Sequence, residues 1–321
     1  MDLVASGKPS TAKALDGTGG SFAQWLVDSK VLVGLLVASF ALYLLTKNPL
    51  FAALIGLSLV ALFVAESVAG AQKSGWEHEL REIAVAVITA LAIWFGSGFL
   101  LGTSAPLDAV VSCSMLPNLD RGDMMVMRGG EAAATEVAVE ADKWNAQSLE
   151  QEQLVCWLCE REGPGGKYTE PCTGRIENGA FREVDQSGNL IRYECGVCEK
   201  RSYSTGEVRQ VPCTKAIVVG GQRITENLQN DIIVYSPAPS DVFKGETIHR
   251  VYAKVKVDGS IYYLTRGDNN EQLDLQYGNS PIPPERVVGK ALFRVPYLGY
   301  LKLFLFGFWE EPAGCDSVLL H

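Results

Sequence analysis

The first hundred residues alternate long apolar runs with short polar breaks, and the apolar character fills whole segments rather than one face of each. Val31 to Thr46 reads VLVGLLVASFALYLLT, Leu50 to Ala71 is apolar apart from Glu66 and scattered Ser and Gly, and Ile83 to Ala105 carries no charge. At about 1.5 Å per residue, roughly 20 residues cross a hydrocarbon core of about 30 Å. These runs predict three transmembrane helices within residues 31–105, the first extended toward the interface by Trp25, Leu26 and Val27. Three such runs in the first third of the chain weigh against buried helices of a soluble domain. Residues 1–30 are largely polar and mixed in charge, which predicts a cytoplasmic N-terminal segment rather than a signal peptide.

Beyond residue 105 the pattern shortens. Asp123–Arg128, Asp231–Tyr235, Arg250–Val257, Ile261–Thr265 and Arg286–Val295 are β-rich runs separated by Gly, Pro, Asn and Asp. They predict a mainly β domain built from residues 106–129 and 226–295. Residues 130–225 between them are acidic, Gly-rich and Cys-rich, and read as an inserted module. Tyr297 to Trp309 is aromatic and apolar but too short to cross a bilayer, so residues 296–321 are expected to form a membrane-interfacial segment. The expected class is an α+β membrane protein, with N-terminal helices followed by the β domain and its insertion.

Charge adds an orientation. Lys8, Lys13 and Lys30 precede the first helix, Lys73 and Arg81 lie between the second and third, and Lys47 alone occupies the first hairpin. The bias predicts a cytoplasmic N-terminus and, after three crossings, an extracytoplasmic β domain. The net charge of −9, without a basic stripe, argues against nucleic acid as a partner. Glu66 reads as a solvated carboxylate near the interface rather than part of an ion path.

The chemistry is concentrated in three strings of the β domain. Ser112-Cys113-Ser114-Met115-Leu116-Pro117, running on to Gly122-Asp123, follows the third apolar run by only about ten residues and presents hydroxyls where the chain would leave a membrane. His78 lies in the expected cytoplasmic loop and His321 ends the sequence, so His249 is the histidine left for an outer site. An imidazole suits proton exchange with a serine near neutral pH. Gly267-Asp268-Asn269-Asn270 with Asp274 supplies two aspartates on a turn, without the alternating ligands of a calcium loop.

In this order, the Ser, His and Asp strings, together with Asp231-Ile232-Ile233-Val234-Tyr235 and Val295-Pro296-Tyr297-Leu298-Gly299-Tyr300, resemble type I signal peptidases of the archaeal and endoplasmic-reticulum branch. The likeness covers about residues 107–128 and 228–308. It implies a membrane-bound serine endopeptidase that removes signal peptides after small residues. By this resemblance Ser114 is the nucleophile, Ser112 assists the backbone N–H of Ser114 in the oxyanion hole, and His249 is the general base where the bacterial branch carries lysine. Asp274 matches the orienting acid and Asp268 a supporting one, although spacing alone leaves the assignment between the two open. A Ser-His-Asp enzyme should lose activity as the histidine protonates, toward pH about 6 and below. The small-residue pockets are sought along Met124–Met127. Catalysis needs no cofactor, and the implied partners are preproteins, the bilayer, and secretion-machinery or accessory subunits.

Two features depart from that family. Cys113 replaces the small residue that usually separates the two serines, and a passive role is expected for its thiol. The insertion carries a duplicated pattern: Cys156, Cys159 and Cys172, then Cys195, Cys198 and Cys213, each set reading Cys-x-x-Cys-Glu-basic, a spacer, and Pro-Cys-Thr. Such knuckles fit structural zinc, slightly favoured here, or three disulfides on an oxidising face. Cys315 falls outside the repeat and is expected to be unpaired. The insertion reads as a lid or docking surface, or equally as a tolerated elaboration. The competing class is a membrane-anchored binding or assembly subunit that docks a partner through the cysteine module.

Overall fold

The computed structural model describes residues 18–46, 48–146, 154–312 and 314–320. Lys8, Lys13, Lys47 and His321 lie outside the described residues. The chain divides into two compact units, Met1–Ala90 and Leu91–His321.

The first unit is helical: α1 (Thr18–Asp28), α2 (Val31–Thr46), α3 (Pro49–Ser74) and the start of α4 (Trp76–Leu101). Pro49 opens α3 at a position where its missing N–H costs nothing, and the Asn48 side chain accepts from Leu50 N at 2.9 Å. Leu50–Ser74 and Trp76–Leu101 are each long and apolar enough to cross a membrane, and α1 with α2, bent by 53°, makes a third span only if the pair is counted as one. At about 1.5 Å per residue α2 alone is short for a crossing. The loop expected before the third span shrinks to Gly75, whose φ of 87° lets one helix stop and the next begin, so His78 sits in the first turn of α4. No residue of α4 is buried. A helix apolar on every side and uncovered by protein belongs in an apolar surrounding.

In the second unit the main sheet has seven strands. They are β1 (Leu107–Ala109), β2 (Met124–Arg128), β3 (Glu136–Val139), then β10 (Ile232–Tyr235), β11 (Thr247–Val257), β12 (Ser260–Arg266) and β13 (Val287–Val295). The order is β1-β2-β13-β10-β11-β12, with β3 parallel to the far half of β11. Five of these match the expected runs within about three residues, as β-rich segments bounded by turn-forming residues allow. Met125, Met127, Met115 and Val234 form one core layer, so of the stretch Met124–Met127 where the small-residue pockets were sought, Met124 and Val126 face the other side of β2, with Arg128.

Between β3 and β10 lie α5 (Ala141–Ala146), β4 (Val155–Gly163), β5 (Gly166–Glu177), β6 (Ala180–Glu183), β7 (Ile191–Ser202), β8 (Val208–Val219) and β9 (Gln222–Thr225). The duplication in sequence is a duplication in structure: β4–β5 and β7–β8 are two antiparallel hairpins. In the first, Trp157 pairs with Cys172 and Cys159 with Glu170; in the second, Gly196 pairs with Cys213 and Cys198 with Val211. The paired cysteines therefore stand diagonally across each hairpin in the same register.

Of the two readings of the repeat cysteines, disulfides rather than zinc are what the structure forms. Cys159–Cys172 and Cys198–Cys213 clasp the two hairpins, and Cys156–Cys195 joins one repeat to the other. Cα separations of 5.9, 5.8 and 5.5 Å suit disulfides, and sulfurs bonded in pairs offer no thiolate to a metal. Cys315 is not free either: it is bonded to Cys113, so Cys113 carries no thiol beside the nucleophile. All eight cysteines are paired, as in an oxidising compartment.

The insertion is also less separate than its composition suggests. Residues 136–139 belong to the main sheet, and Leu154, Ile191, Tyr193, Ile217 and Val219 share one core with Tyr252, Val255, Leu264, Leu273 and Leu275. The C-terminal segment likewise departs from expectation. After α6 (Tyr300–Leu305), β14 (Ser317–Leu320) pairs antiparallel with β7 and completes the insertion's four-stranded sheet β14-β7-β8-β9. Tyr297, Leu298, Leu301, Leu305 and Phe306, all before β14, remain exposed.

Candidate active site

The Ser114 turn is fixed at both ends. Val110 N donates to Asp123 O and Gly122 N to Val110 O, both at 2.9 Å, closing the loop that contains Ser112 and Ser114. Gly122 has φ 90°, and a Cβ there would overlap the Tyr300 ring. Arg294 donates to Asp123 at 2.6 Å and Asp120 at 3.0 Å, tying the loop to β13. Asn269 holds the turn from the other side. Its backbone N–H reaches Ser114 O at 2.7 Å, while its amide donates to Cys113 O at 3.0 Å and Ser317 O at 2.9 Å.

His249 is delivered by β11, where it pairs with Ile233 of β10. Its Nε2 is 3.0 Å from Ser114 Oγ and its Nδ1 2.6 Å from Asp274 Oδ2. With the aspartate ionised, Nδ1 donates to it, which leaves Nε2 to accept the serine proton. The imidazole is 3% exposed and Asp274 2%, while Ser114 is only half-buried, so the nucleophile meets solvent and the base does not. Phe243 lies edge-on to the imidazole at 5.8 Å. Ser112 Oγ is 3.1 Å from Ser114 Oγ, a second hydroxyl beside it.

The two aspartates separate cleanly. Asp268 takes a bidentate pair from Arg250 Nε at 2.8 Å and Nη2 at 2.7 Å, and an amide hydrogen from Asn118 at 2.7 Å. It anchors the loop to β11 and to the nucleophile turn. Asp274 faces His249 and also accepts from Tyr235 Oη at 3.0 Å and Thr265 Oγ1 at 2.6 Å. Burial, and then the charge of Asp274, push the Tyr235 phenol far above its ordinary range, so it stays a donor. Gly267 makes the assembly fit, since a Cβ would stand 2.6 Å from Ser114 O and 2.9 Å from His249 Nε2.

The insertion forms the back of this loop. Thr214 N donates to Glu271 O at 2.9 Å, and Thr214 Oγ1 donates to Gln276 Oε1 at 2.7 Å. Arg266 donates to Thr214 O at 2.9 Å, Gln276 to Leu154 O at 2.8 Å, and buried Lys200 to Glu271 at 2.8 Å. It therefore lies behind the acidic loop rather than capping the serine.

Ser112, Ser114, His249, Asp268 and Asp274 are thus brought together, and the six repeat cysteines are drawn into disulfides. Tyr235, Thr265, Arg250 and Asn269 were not singled out from sequence. Tyr235 and Asn269 lay within strings that carried the resemblance and Arg250 stood beside His249, each without an assigned role, while Thr265 ended an expected strand.

No family model matches the sequence. Over 209 residues the chain is 30% identical to the uncharacterized protein MJ0260 of Methanocaldococcus jannaschii, an alignment that covers 63% of this chain and 85% of that protein. The chain belongs to the family of that archaeal protein.

Proposed function

We propose that the protein is a membrane-bound serine endopeptidase that removes signal peptides from exported preproteins, cutting after small residues. The observation that carries this reading is the unbroken line from Ser114 Oγ through His249 to Asp274, with contacts of 3.0 and 2.6 Å. A serine hydroxyl is a weak nucleophile until a base takes its proton, and the base needs a carboxylate to fix its tautomer. Ser114 Oγ attacks the scissile carbonyl while its proton passes to His249 Nε2. The tetrahedral oxyanion is held by the Ser112 hydroxyl and the Ser114 N–H. Collapse breaks the C–N bond, the proton moves from Nε2 to the leaving amine, and an acyl-enzyme remains. Water, deprotonated by the same nitrogen, then releases the signal peptide and restores Ser114.

The surroundings support a substrate presented at a membrane. The apolar helices α3 and α4 precede the serine turn, the paired cysteines fit an extracytoplasmic domain, and exposed Leu298, Leu301, Leu305 and Phe306 suit a lipid interface. A short connection between a membrane span and the nucleophile would hold the serine near the end of a signal sequence, removing much of the entropy cost of encounter.

The test is cleavage of a test preprotein by the purified full chain in detergent or liposomes, with the new N-terminus mapped. A single cut after a small residue, reduced by at least about 10⁴-fold in Ser114→Ala, is expected. Absence of any cut by the wild-type protein, or an undiminished cut by Ser114→Ala, overturns the reading.

A further inference from the structure

Three neighbouring strands of the main sheet each send one hydrogen-bonding group to the same oxygen of Asp274. Tyr235 is on β10, His249 on β11 and Thr265 on β12. The pairings His249 with Ile233, Tyr235 with Thr247, and Thr265 with Val251 put all three on one face of the sheet. The distances to Asp274 Oδ2 are 3.0, 2.6 and 2.6 Å. Oδ1 of the same carboxylate is buried without a hydrogen-bond partner among the described residues. The side chain is therefore held by one oxygen, and two of the three groups that hold it are neutral hydroxyls outside the serine-histidine-aspartate line.

We infer that Tyr235 and Thr265 are positioning residues of this site, acting through Asp274 to fix its rotamer and to moderate its pull on the His249 proton. This rests on the serine-protease reading for its link to cleavage, but the effect on His249 is a property of the buried cluster itself. The sign follows from charge. Each hydroxyl stabilises the carboxylate most when the imidazole is neutral, because an imidazolium already compensates part of the negative charge. The two donors thus favour the neutral base that accepts the Ser114 proton. Removing either makes the imidazolium relatively more favourable, and the acid limb of the activity profile moves to higher pH.

Other charged or titratable groups around the cluster have partners elsewhere. Asp268 is paired with Arg250, Glu271 with Lys200, and Arg266 with Glu226 and with the carbonyls of Thr214 and Asn270. Tyr277, which Phe243 approaches at 6.2 Å, is pushed up by burial and then by Glu271 and Asp274, so it stays neutral.

The experiment uses the full chain in detergent with isotope-labelled histidine. The protonation midpoint of His249 is followed by NMR in the Ser114→Ala protein, with and without Tyr235→Phe or Thr265→Val. Cleavage profiles are recorded for the same substitutions with Ser114 intact. Each substitution is expected to raise the midpoint and the acid limb together by about half a pH unit. It should also lower kcat/KM by about three- to ten-fold with KM nearly unchanged. A fall in Tm with no movement of the midpoint in either variant overturns the inference, whatever happens to cleavage. If Tyr235→Phe fails to fold, Thr265→Val carries the same decision. Absence of cleavage by the wild-type protein, together with a midpoint shift in the variants, refutes the protease reading and leaves the coupling standing.

Discussion

The sheet face around His249 and the duplicated hairpins behind it are held by opposite means. At the sheet face the buried groups are polar, and each is fixed by another polar group: Asp274 by three donors, Asp268 by Arg250 and Asn118, Asn269 by the backbones of two distant segments. The hairpins are closed by two disulfides and joined by a third, beside buried contacts such as Lys200 to Glu271 and Thr214 to Gln276. The groups that pass the proton cannot themselves be cross-linked, because they must titrate and exchange partners, although the nucleophile turn beside them is tied by Cys113–Cys315. A scaffold has no such constraint and is stabilised by covalent limits on its unfolded state. The two regions meet at the acidic loop, where Thr214, Lys200 and Leu154 hold the segment that carries Asp274.

This contrast is most severely tested by Asp274→Asn. An amide in place of the carboxylate inverts the preferred tautomer of His249, and cleavage should fall by about 10⁴-fold while the fold persists. Loss of activity explained entirely by unfolding, read by circular dichroism, would place Asp274 among scaffold residues instead. A middle-sized effect is expected from replacing Cys156 and Cys195 together by Ser. The lost cross-link should cost about 2–4 kcal/mol of stability, lowering Tm by several degrees, with a further fall in kcat because the backbone of Cys156 also donates to Gln272 in the acidic loop. If kcat at a temperature well below Tm is unaffected, the hairpins stabilise the domain without tuning the site. The smallest effect concerns Glu136 on β3, whose carboxyl is held down to about 2 by Lys254 and then Lys256. A depressed folded-state value means that its stabilising contribution is complete above the ordinary carboxylate range and fades as pH falls from about 4.5 toward 2. The Tm difference between wild type and Glu136→Gln should follow that course, and a difference that persists unchanged at pH 2 would exclude the ion pairs as its source.

Much of this arrangement was legible in the sequence. The β-branched and aromatic residues of Asp231–Tyr235 and Arg250–Val257, bounded by turn-forming residues, located two central strands. Ser114, His249 and the two aspartates stood out because each sits in its own short string. What spacing could not assign was which aspartate served the histidine. Arg250, adjacent to His249 but paired with Asp268, decides that, and the pairing depends on how β11 and the acidic loop meet in space. The cysteines misled for a related reason. A Cys-x-x-Cys spacing suits a tetrahedral metal, whereas the hairpin register, which sets Cys159 diagonally from Cys172, is created only when the strands pair. Cys113–Cys315 was least legible, since its halves are 202 residues apart and share no motif.

That bond makes a closed covalent circuit of the chain from residue 113 to residue 315, and the three hairpin disulfides lie within it. A protease that nicks any one backbone position inside the circuit opens the ring without separating its pieces. The serine turn and the hairpins remain one molecule until the cross-links themselves are reduced, so damage from outside is met by a domain that can be cut without coming apart.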